Sequence, residues 1–211
     1  MRGFLLTICM AGLVLTACNN NTGDKKPSDS TTRKPGDWVP IDSATEMKAW
    51  MEYAAPGEAH KTLAKSNGNW TGQVTSWAAI DAPPTTSTAT VVNKMIMGGL
   101  YQESDYNGNF MGMPFQGMGI TGYDNYRKKY LSTWVDNMGS GILSMQGSVD
   151  SATKAITFTG SMINPANGKR CIIKQVNTIV DDNNQLMEMY GPDPKTGKQF
   201  KDMEIKLTRK K

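Results

Sequence analysis

The sequence predicts an all-β protein, an antiparallel up-and-down β-barrel of about nine or ten strands with a short helical cap on its N-terminal side. From residue 70 onward, polar and apolar residues alternate with period two in about nine or ten short segments. Turn-forming residues separate these segments, and no helical pattern leaves room for parallel crossover connections. A meander of this length must close or split into two sheets to protect its edges, so a β-sandwich is the alternative.

The first seventeen residues have the features of an export signal rather than of a folded element. Arg2 supplies a positive charge, and the apolar stretch 4–15 is shorter than the roughly twenty residues that span a bilayer. Leu15-Thr16-Ala17-Cys18 then resembles the lipobox of bacterial lipoproteins, in which the cysteine becomes the lipidated first residue. We therefore predict a lipoprotein signal peptide over residues 1–17 and lipidation of Cys18 with acyl chains such as palmitate. An ordinary secretory signal with an incidental cysteine is the alternative.

Residues 18–44 are polar and rich in Pro, Ser and Thr, which predicts a disordered, lipid-anchored tether. Acyl chains would hold the protein at a membrane. Asn19 follows the cysteine where aspartate would signal retention, and this favours the outer membrane of a bacterial cell envelope. The remaining residues 45–211 are long enough for one domain with its own core.

Charge and cysteine content exclude several classes of protein. Twenty-three basic and 19 acidic residues are mixed along the chain and give a formal net charge of +4, without the basic stripe of a nucleic-acid-binding protein. Cys9 leaves with the signal and Cys18 carries lipid, so Cys171 has no partner for an intramolecular disulfide. Its apolar neighbours Ile172 and Ile173 predict a buried structural cysteine.

Two helices are predicted before the strands, and we expect the helical segment to cap one end of the barrel. Ser43 or Thr45 can cap the first helix, and Glu46 lies three residues after Ser43, as a capping box requires. Its apolar residues recur at helical spacing: Met47, Trp50, Met51 and Ala54. Pro56-Gly57 ends this helix. A second short helix is predicted over residues 58–65, with Leu63 as its apolar anchor.

The strands follow as period-two segments. They are predicted at 70–78, 88–97, 100–106, 115–123, 129–137, 142–149, 155–162, 171–180, 186–190 and 200–208. Residues that tolerate turn geometry predict turns at 106–109, 150–153, 167–168, 181–184 and 195–197. Residues 107–116 are glycine-rich and apolar, which indicates a mobile lip over the mouth of a barrel.

Short motifs along the chain resemble one bacterial family. They are His60-x-x-Leu63, Gly68-x-Trp70, Met97-Gly98-Gly99, Pro114-Phe115-x-Gly117-x-Gly119, Gly122-Tyr123-Asp124-Asn125, Tyr130, Thr133-Trp134, Asp136 and Asp193-Pro194-x-Thr196-Gly197-Lys198. In these motifs the chain is similar to the domain of unknown function 1579, over about residues 46–209. The resemblance implies a lipocalin-like, calycin-type barrel and implies no established activity. The family often has arginine after the paired glycines, whereas this chain has Leu100, so any contact made by that arginine is lost or changed here.

Candidate ligand-binding residues cluster on the predicted strand 129–137, where alternate residues share one face. Aromatic walls with a hydroxyl and a carboxylate suit a pocket for a small molecule in the barrel lumen. Gly117 and Gly119 on the preceding strand indicate bending or a close approach by another group. The full candidate set is Trp77, Tyr101, Tyr123, Tyr130, Ser132, Trp134 and Asp136. The alternative is that each of these residues only packs the barrel wall.

Methionines fall in or beside the central strands, where they suit apolar ligands of loose definition or act as core filler. They are Met95, Met97, Met111, Met113, Met118, Met138 and Met145.

The sequence contains no pattern for a cofactor, a metal centre or a catalytic triad. His60 is the single histidine, and no phosphate-binding loop or dinucleotide fingerprint occurs. Three functions remain open: a lipid-anchored binding protein for a small, mainly apolar molecule; an envelope interaction protein with a filled barrel; and an enzyme that uses Asp124, Asp136 and nearby tyrosines.

Overall fold

The structure is a computed structural model that describes residues 38–211. Ten antiparallel strands form a closed barrel in which each strand pairs with its neighbours in sequence, and the first strand pairs with the last. The predicted up-and-down barrel is therefore confirmed, and the sandwich alternative is wrong. The predicted signal peptide, Cys18 and most of the predicted tether lie outside the described residues. Within residues 38–211, no helix is both long and apolar enough to cross a membrane.

Two helices precede the barrel, α1 (Ser43–Tyr53) and α2 (Glu58–Ala64). The strands are β1 (Gly68–Ser76), β2 (Thr85–Ile96), β3 (Tyr101–Phe110), β4 (Met113–Asp124), β5 (Lys129–Asp136), β6 (Leu143–Val149), β7 (Ile156–Ile163), β8 (Arg170–Asp181), β9 (Asn184–Pro192) and β10 (Gln199–Arg209). A short 3-10 turn, Met97–Gly99, joins β2 to β3. The predicted strands match these bounds closely, except at the end of β3.

The hairpin of β3 and β4 corrects two predictions. Both strands stay paired as far as Phe110 and Met113, so residues 107–116 form neither the predicted lip nor a turn at 106–109. The turn is Met111–Gly112, whose residues have φ of 52° and 83°. Gly108 lies inside β3. A Cβ at this position would come within 2.7 Å of the Thr88 carbonyl oxygen on β2, which explains why the position holds glycine. That glycine marks a close approach of two strands rather than a turn.

Helix α1 begins at a different cap from the predicted one. Asp42 is the N-cap, and its Oδ1 accepts hydrogen bonds from the amides of Ala44 and Thr45 at 3.1 and 3.0 Å. A carboxylate in this position satisfies amides that the first turn leaves without an intrahelical partner. The predicted caps Ser43 and Thr45 instead belong to the helix itself.

The apolar face of α1 does not seal the barrel. Met47, Trp50 and Met51 remain 64%, 61% and 69% exposed. The end of the helix is held by Asn125, whose Nδ2 donates to the carbonyl oxygens of Tyr53 and Ala55, each at 2.8 Å. Helical spacing therefore identified a shared face, but no element of the described chain covers it.

Helix α2 is the cap of the barrel. Leu63 is 6% exposed and enters a buried hydrophobic cluster of the interior. Gln102 Nε2 on β3 donates to the Leu63 carbonyl oxygen at 2.6 Å, and Trp70 Nε1 on β1 donates to the Ser66 carbonyl oxygen at 2.9 Å. The expected helical cap is confirmed for α2.

Two hydrophobic clusters pack inside the barrel. The first lies beneath α2 and consists of Leu63, Tyr130, Met145, Ile156, Phe158 and Ile173. The second lies against β1, β2 and β10 and consists of Trp70, Val74, Val91, Ile205 and Leu207. All ten strands and both clusters fall within residues 41–211, so a chain that begins at Trp38 contains everything that the barrel requires.

His60 stabilises the start of α2. Its side chain is 3% exposed, Nδ1 accepts from the Gly57 amide at 2.9 Å, and its ring meets Tyr123 edge to face with centroids 6.0 Å apart. Burial lowers the pKa of His60, and a hydrogen bond with the Tyr123 backbone opposes this shift. The single histidine of the chain is thus a neutral helix-capping residue.

We expect the free energy of unfolding to fall as the pH drops from about 7.5 to about 5.5. The unfolded chain takes up a proton on His60 near its ordinary pKa of 6.5, whereas the folded chain resists protonation because the imidazole is buried. Urea unfolding at the two pH values measures this effect. His60→Asn, which keeps an acceptor but does not titrate, should lose much of the pH dependence, and an unchanged dependence in that variant would contradict this role.

Candidate functional site

The inner face of the barrel is identified by strand register. Alternate residues of a strand face opposite sides, so Tyr130, Ser132, Trp134 and Asp136 of β5 share one face, while Thr133 is exposed on the other. The sequence predicted these four residues as one set, and Tyr130 belongs to the interior cluster. The structure therefore places all four on the inner wall.

Tyr123 and Tyr130 lie at the capped end. Tyr130 is 3% exposed, with its ring centroid 4.9 Å from that of Tyr123 and 6.4 Å from that of Phe158. Burial raises the pKa of Tyr130, and the neighbouring Tyr123 adds to the shift. These two candidates therefore pack inside the barrel, directly against the end that α2 caps.

Trp134 lies towards the uncapped end and anchors an aromatic shelf, which we define as Tyr106, Phe115 and Trp134. The indole meets the ring of Tyr106 edge to face at 5.2 Å and lies nearly parallel to that of Phe115, with centroids 6.4 Å apart at 17°. Trp134 Nε1 donates to Asp136 Oδ2 at 2.7 Å, and Asp136 Oδ1 accepts from the Met138 amide at 2.9 Å. Asp136 thus sets the orientation of the indole.

Two glycines of β4 make room for the shelf. A Cβ on Gly117 would collide with the six-membered ring of Trp134, and one on Gly119 would come within 3.2 Å of Trp134 Cε3. The close approach indicated by these strand glycines is therefore that of the indole, which lies flat against β4.

Gly117→Ala should push the indole away from β4 and lower the free energy of unfolding by about 1–3 kcal/mol, the usual cost of overpacking. Urea unfolding measures the loss, and tryptophan fluorescence should change with it. Gly139→Ala is the matched control, because no atom lies within 4 Å of an added Cβ there. Equal stability of the two variants would contradict the placement of Trp134 over Gly117.

Beyond the shelf, inward-facing side chains from several strands keep part of their surface accessible inside the wall: Ser104, Tyr106, Gln175, Asn177, Met189 and Met203. Gln175 Nε2 donates to Asn177 Oδ1 at 3.0 Å. Burial raises the pKa of Tyr106 to about 12, so its hydroxyl stays protonated. The accessible surface is therefore lined by aromatic rings, thioethers, a few uncharged polar groups and the carboxylate of Asp136.

Trp77 and Tyr101 lie outside this space. Tyr101 is 41% exposed and covers Gly122, where an added Cβ would come within 2.6 Å of its ring. Trp77 follows the end of β1, and its ring centroid is 5.7 Å from Nζ of Lys201, which forms ion pairs on the outer surface. The structure therefore brings five of the seven candidates to the inner wall and leaves these two on the outer face.

The candidate set omitted Tyr106 and Phe115. Because a turn was predicted at residues 106–109, the predicted strand ended at residue 106. The alternation of inward and outward side chains was therefore not extended to Tyr106. Phe115 stands in the Pro-Phe motif directly before the glycines, and its period-two relation to Gly117 and Gly119 was the signal that could have found it.

Asp124 and Asp136 are not brought together. Asp124 pairs with Lys129 at one end of β4, while Asp136 pairs with Gly117, seven residues away. At about 3.4 Å per residue this separation is roughly 24 Å. Asp124 Oδ1 accepts from the amides of the turn that follows it. Within residues 38–211, no group of three or more acidic, histidine or cysteine side chains is close enough to hold a metal ion.

The family model described as "Protein of unknown function (DUF1579)" matches residues 55–209. The chain belongs to the DUF1579 family. The match begins just before α2 and ends with β10, so it covers the cap and the whole barrel and leaves α1 outside. The resemblance seen in the sequence motifs is confirmed. No curated protein matches the chain.

Solved structures with a barrel similar to that of this chain include two that align over most of its length. The S-type phycobiliprotein lyase CPES from Guillardia theta aligns with a TM-score of 0.52 and 9% identity, over 77% of this chain and 97% of the lyase. Rv2717c from M. tuberculosis aligns with a TM-score of 0.54 and 12% identity, over 74% of this chain and all of Rv2717c. At these identities the likeness establishes the fold, and the predicted lipocalin-like barrel is confirmed.

The final DUF1579 motif has a structural role. Asp193 is 4% exposed, and its carboxylate accepts from the amides of Ile80 and Thr196 at 3.0 and 2.7 Å. These bonds, the one from Ile80 above all, lower the pKa of Asp193 to about 2. Asp193 thereby ties the β9–β10 turn to the β1–β2 connection, beside a surface depression of about 180 Å³.

Proposed function

We propose that this DUF1579 protein is a lipid-anchored protein of the bacterial cell envelope that binds a small, mainly apolar molecule inside its barrel. The observation that carries the proposal is the accessible interior beside the aromatic shelf. Aromatic faces and thioethers offer apolar contact to ligands of varied shape. A few polar groups among them, such as Ser132 and Gln175, can orient a bound molecule.

The comparisons support the architecture of this proposal and leave the ligand open. The phycobiliprotein lyase and Rv2717c share the barrel fold at 9% and 12% identity. Choice of ligand depends on the side chains inside a barrel, which the fold alone does not determine.

Native mass spectrometry of residues 38–211, purified without a tag from the native host, tests the binding part of the proposal. We expect a stoichiometric small molecule that is released by denaturing extraction. A clean apo mass that persists after mixtures of lipids and tetrapyrroles are offered would contradict it.

The membrane part of the proposal rests on the lipobox-like segment that ends at Cys18. Expressed in a bacterium, the full chain should partition into the detergent phase of a Triton X-114 extract, because two or three acyl chains give a stable anchor. Cys18→Ser should stay in the aqueous phase. Equal partitioning of the two proteins would contradict the anchor. Sucrose-gradient separation of the two membranes then tests the outer-membrane location that Asn19 favours.

One observation favours an interaction protein as the second candidate. The exposed face of α1 carries Met47, Trp50 and Met51, and Tyr126 in the β4–β5 turn is 88% exposed. Exposed apolar patches often mark sites of protein association. Loss of a binding partner on Trp50→Ala, without any change in ligand retention, would favour this candidate.

A further inference from the structure

A β-bulge in β10 determines where Asp202 points. Lys201 pairs with Tyr190 and Met203 pairs with Met189, so Asp202 is an extra residue without a partner in the register. Met203 packs against the second interior cluster, whereas Lys201 forms outer-surface ion pairs. Bulges of this kind re-aim side chains, often beside functional sites.

The carboxylate of Asp202 lies on the inner face of β9. Its Oδ2 occupies the space that a Cβ of Gly191 would fill, and Ile173 Cδ1 is 3.7 Å from the same point. Ile173 is 7% exposed and belongs to the first interior cluster. Asp202 therefore covers the side of Gly191 that faces the inside of the barrel. Because glycine has no Cβ, the carboxylate fits in this space.

One oxygen of this carboxylate lacks a hydrogen-bond partner within the described residues. Asp202 Oδ1 is buried and makes no hydrogen bond. The nearest cation along the strand, Lys201, is instead engaged by Glu188 and Glu204 at 3.1 and 2.6 Å. Burial raises the pKa of Asp202, and a hydrogen bond from its own amide opposes the shift. A buried acceptor without a donor destabilises a fold. A bound molecule that donates a hydrogen bond to Asp202 would remove this cost.

We propose that Asp202 is the polar anchor of the interior and binds a cationic or N–H-donating group of an otherwise apolar ligand. This inference rests on the proposed binding function and restricts the chemical class of the ligand. The thioethers of Met189 and Met203 flank the bulge, and their low polarity strengthens an ion pair or a charge-assisted hydrogen bond at the carboxylate. An amine or a protonated heterocycle on an apolar body fits this arrangement, whereas a fatty carboxylate would be repelled.

Three probes with the same chain length test the anchor: dodecylamine, 1-dodecanol and dodecanoate. Their dissociation constants follow from displacement of N-phenyl-1-naphthylamine from residues 38–211 at neutral pH. We expect dodecylamine, protonated at this pH, to bind about tenfold or more tightly than 1-dodecanol, the usual scale of a charge-assisted contact. Dodecanoate should bind more weakly than either.

Asp202→Asn should abolish the preference for the amine over 1-dodecanol. Asp182→Asn removes the same charge from an exposed turn and should retain the preference. The variant Asp202→Asn should be at least as stable to urea as the wild type, since it loses an unpaired buried charge. Lower stability would reveal a purely structural role and overturn the inference.

The two proposals fail in different ways. If 1-dodecanol binds but Asp202→Asn keeps the preference for dodecylamine, the anchor is overturned and the binding function stands. If none of the three probes binds, the binding function fails and the anchor fails with it.

Discussion

Trp134→Ala should weaken the binding of the neutral apolar probe N-phenyl-1-naphthylamine by about tenfold or more, because the indole is the central surface of the aromatic shelf. Its loss removes contacts with a bound ring and also leaves Tyr106 and Phe115 without their common neighbour. Truncation of a large aromatic side chain at the centre of a site typically costs 2 kcal/mol or more, about thirtyfold in affinity. Probe fluorescence measures the dissociation constant directly.

Trp77→Ala is the matched control for this experiment, since Trp77 lies outside the interior beside Lys201. It should leave probe affinity unchanged. Trp134→Phe keeps an aromatic face and should show an intermediate affinity, which separates loss of the shelf from loss of the fold. Equal affinities of the wild type and Trp134→Ala, or a greater loss in Trp77→Ala, would refute the placement of the site.

Trp70→Ala should lower the free energy of unfolding by about 3–5 kcal/mol, the range for removal of a buried aromatic side chain. Trp70 is fully buried, and its Nε1 donates to the Ser66 carbonyl oxygen, which ties β1 to the end of α2. The Arg209 guanidinium carbon lies 4.1 Å from its ring centroid, so β10 is held at the same point. A single side chain thus joins the cap and both strands of the barrel closure.

Trp50→Ala provides the comparison for stability. Trp50 is 61% exposed on α1, so its replacement should change the free energy of unfolding by no more than about 0.5 kcal/mol. Urea unfolding of both variants, monitored by far-UV circular dichroism, measures the difference. Similar losses in the two variants would contradict the unequal burial of these tryptophans.

Much of the fold could be predicted from local sequence patterns. Period-two alternation and turn chemistry located all ten strands, because one face of each strand is buried and each short turn needs residues that adopt unusual backbone angles. The same alternation correctly grouped Tyr130 with Trp134 and Asp136 on one side of β5. Local pattern also identified α2 through its apolar anchor Leu63.

The parts that were missed depend on contacts between distant segments. Helical spacing placed Met47 and Trp50 on one face but could not show whether another element covers it. A glycine such as Gly108 looks like a turn until its close approach to β2 is known. The bulge at Asp202 is a one-residue insertion that changes which side chains face inward, and no alternation pattern reveals it.

We propose that a ligand binds in the accessible interior beside Trp134. The protein has five tryptophans, all within residues 38–211, so its indole N–H groups should give five resolvable nuclear magnetic resonance signals in ¹⁵N-labelled protein. On titration with 1-dodecanol, the Trp134 signal should shift until it saturates, while the signals of Trp50 and Trp77 should stay in place. Shifts confined to Trp50, or no shift at Trp134 at a saturating concentration, would rule out binding at this site.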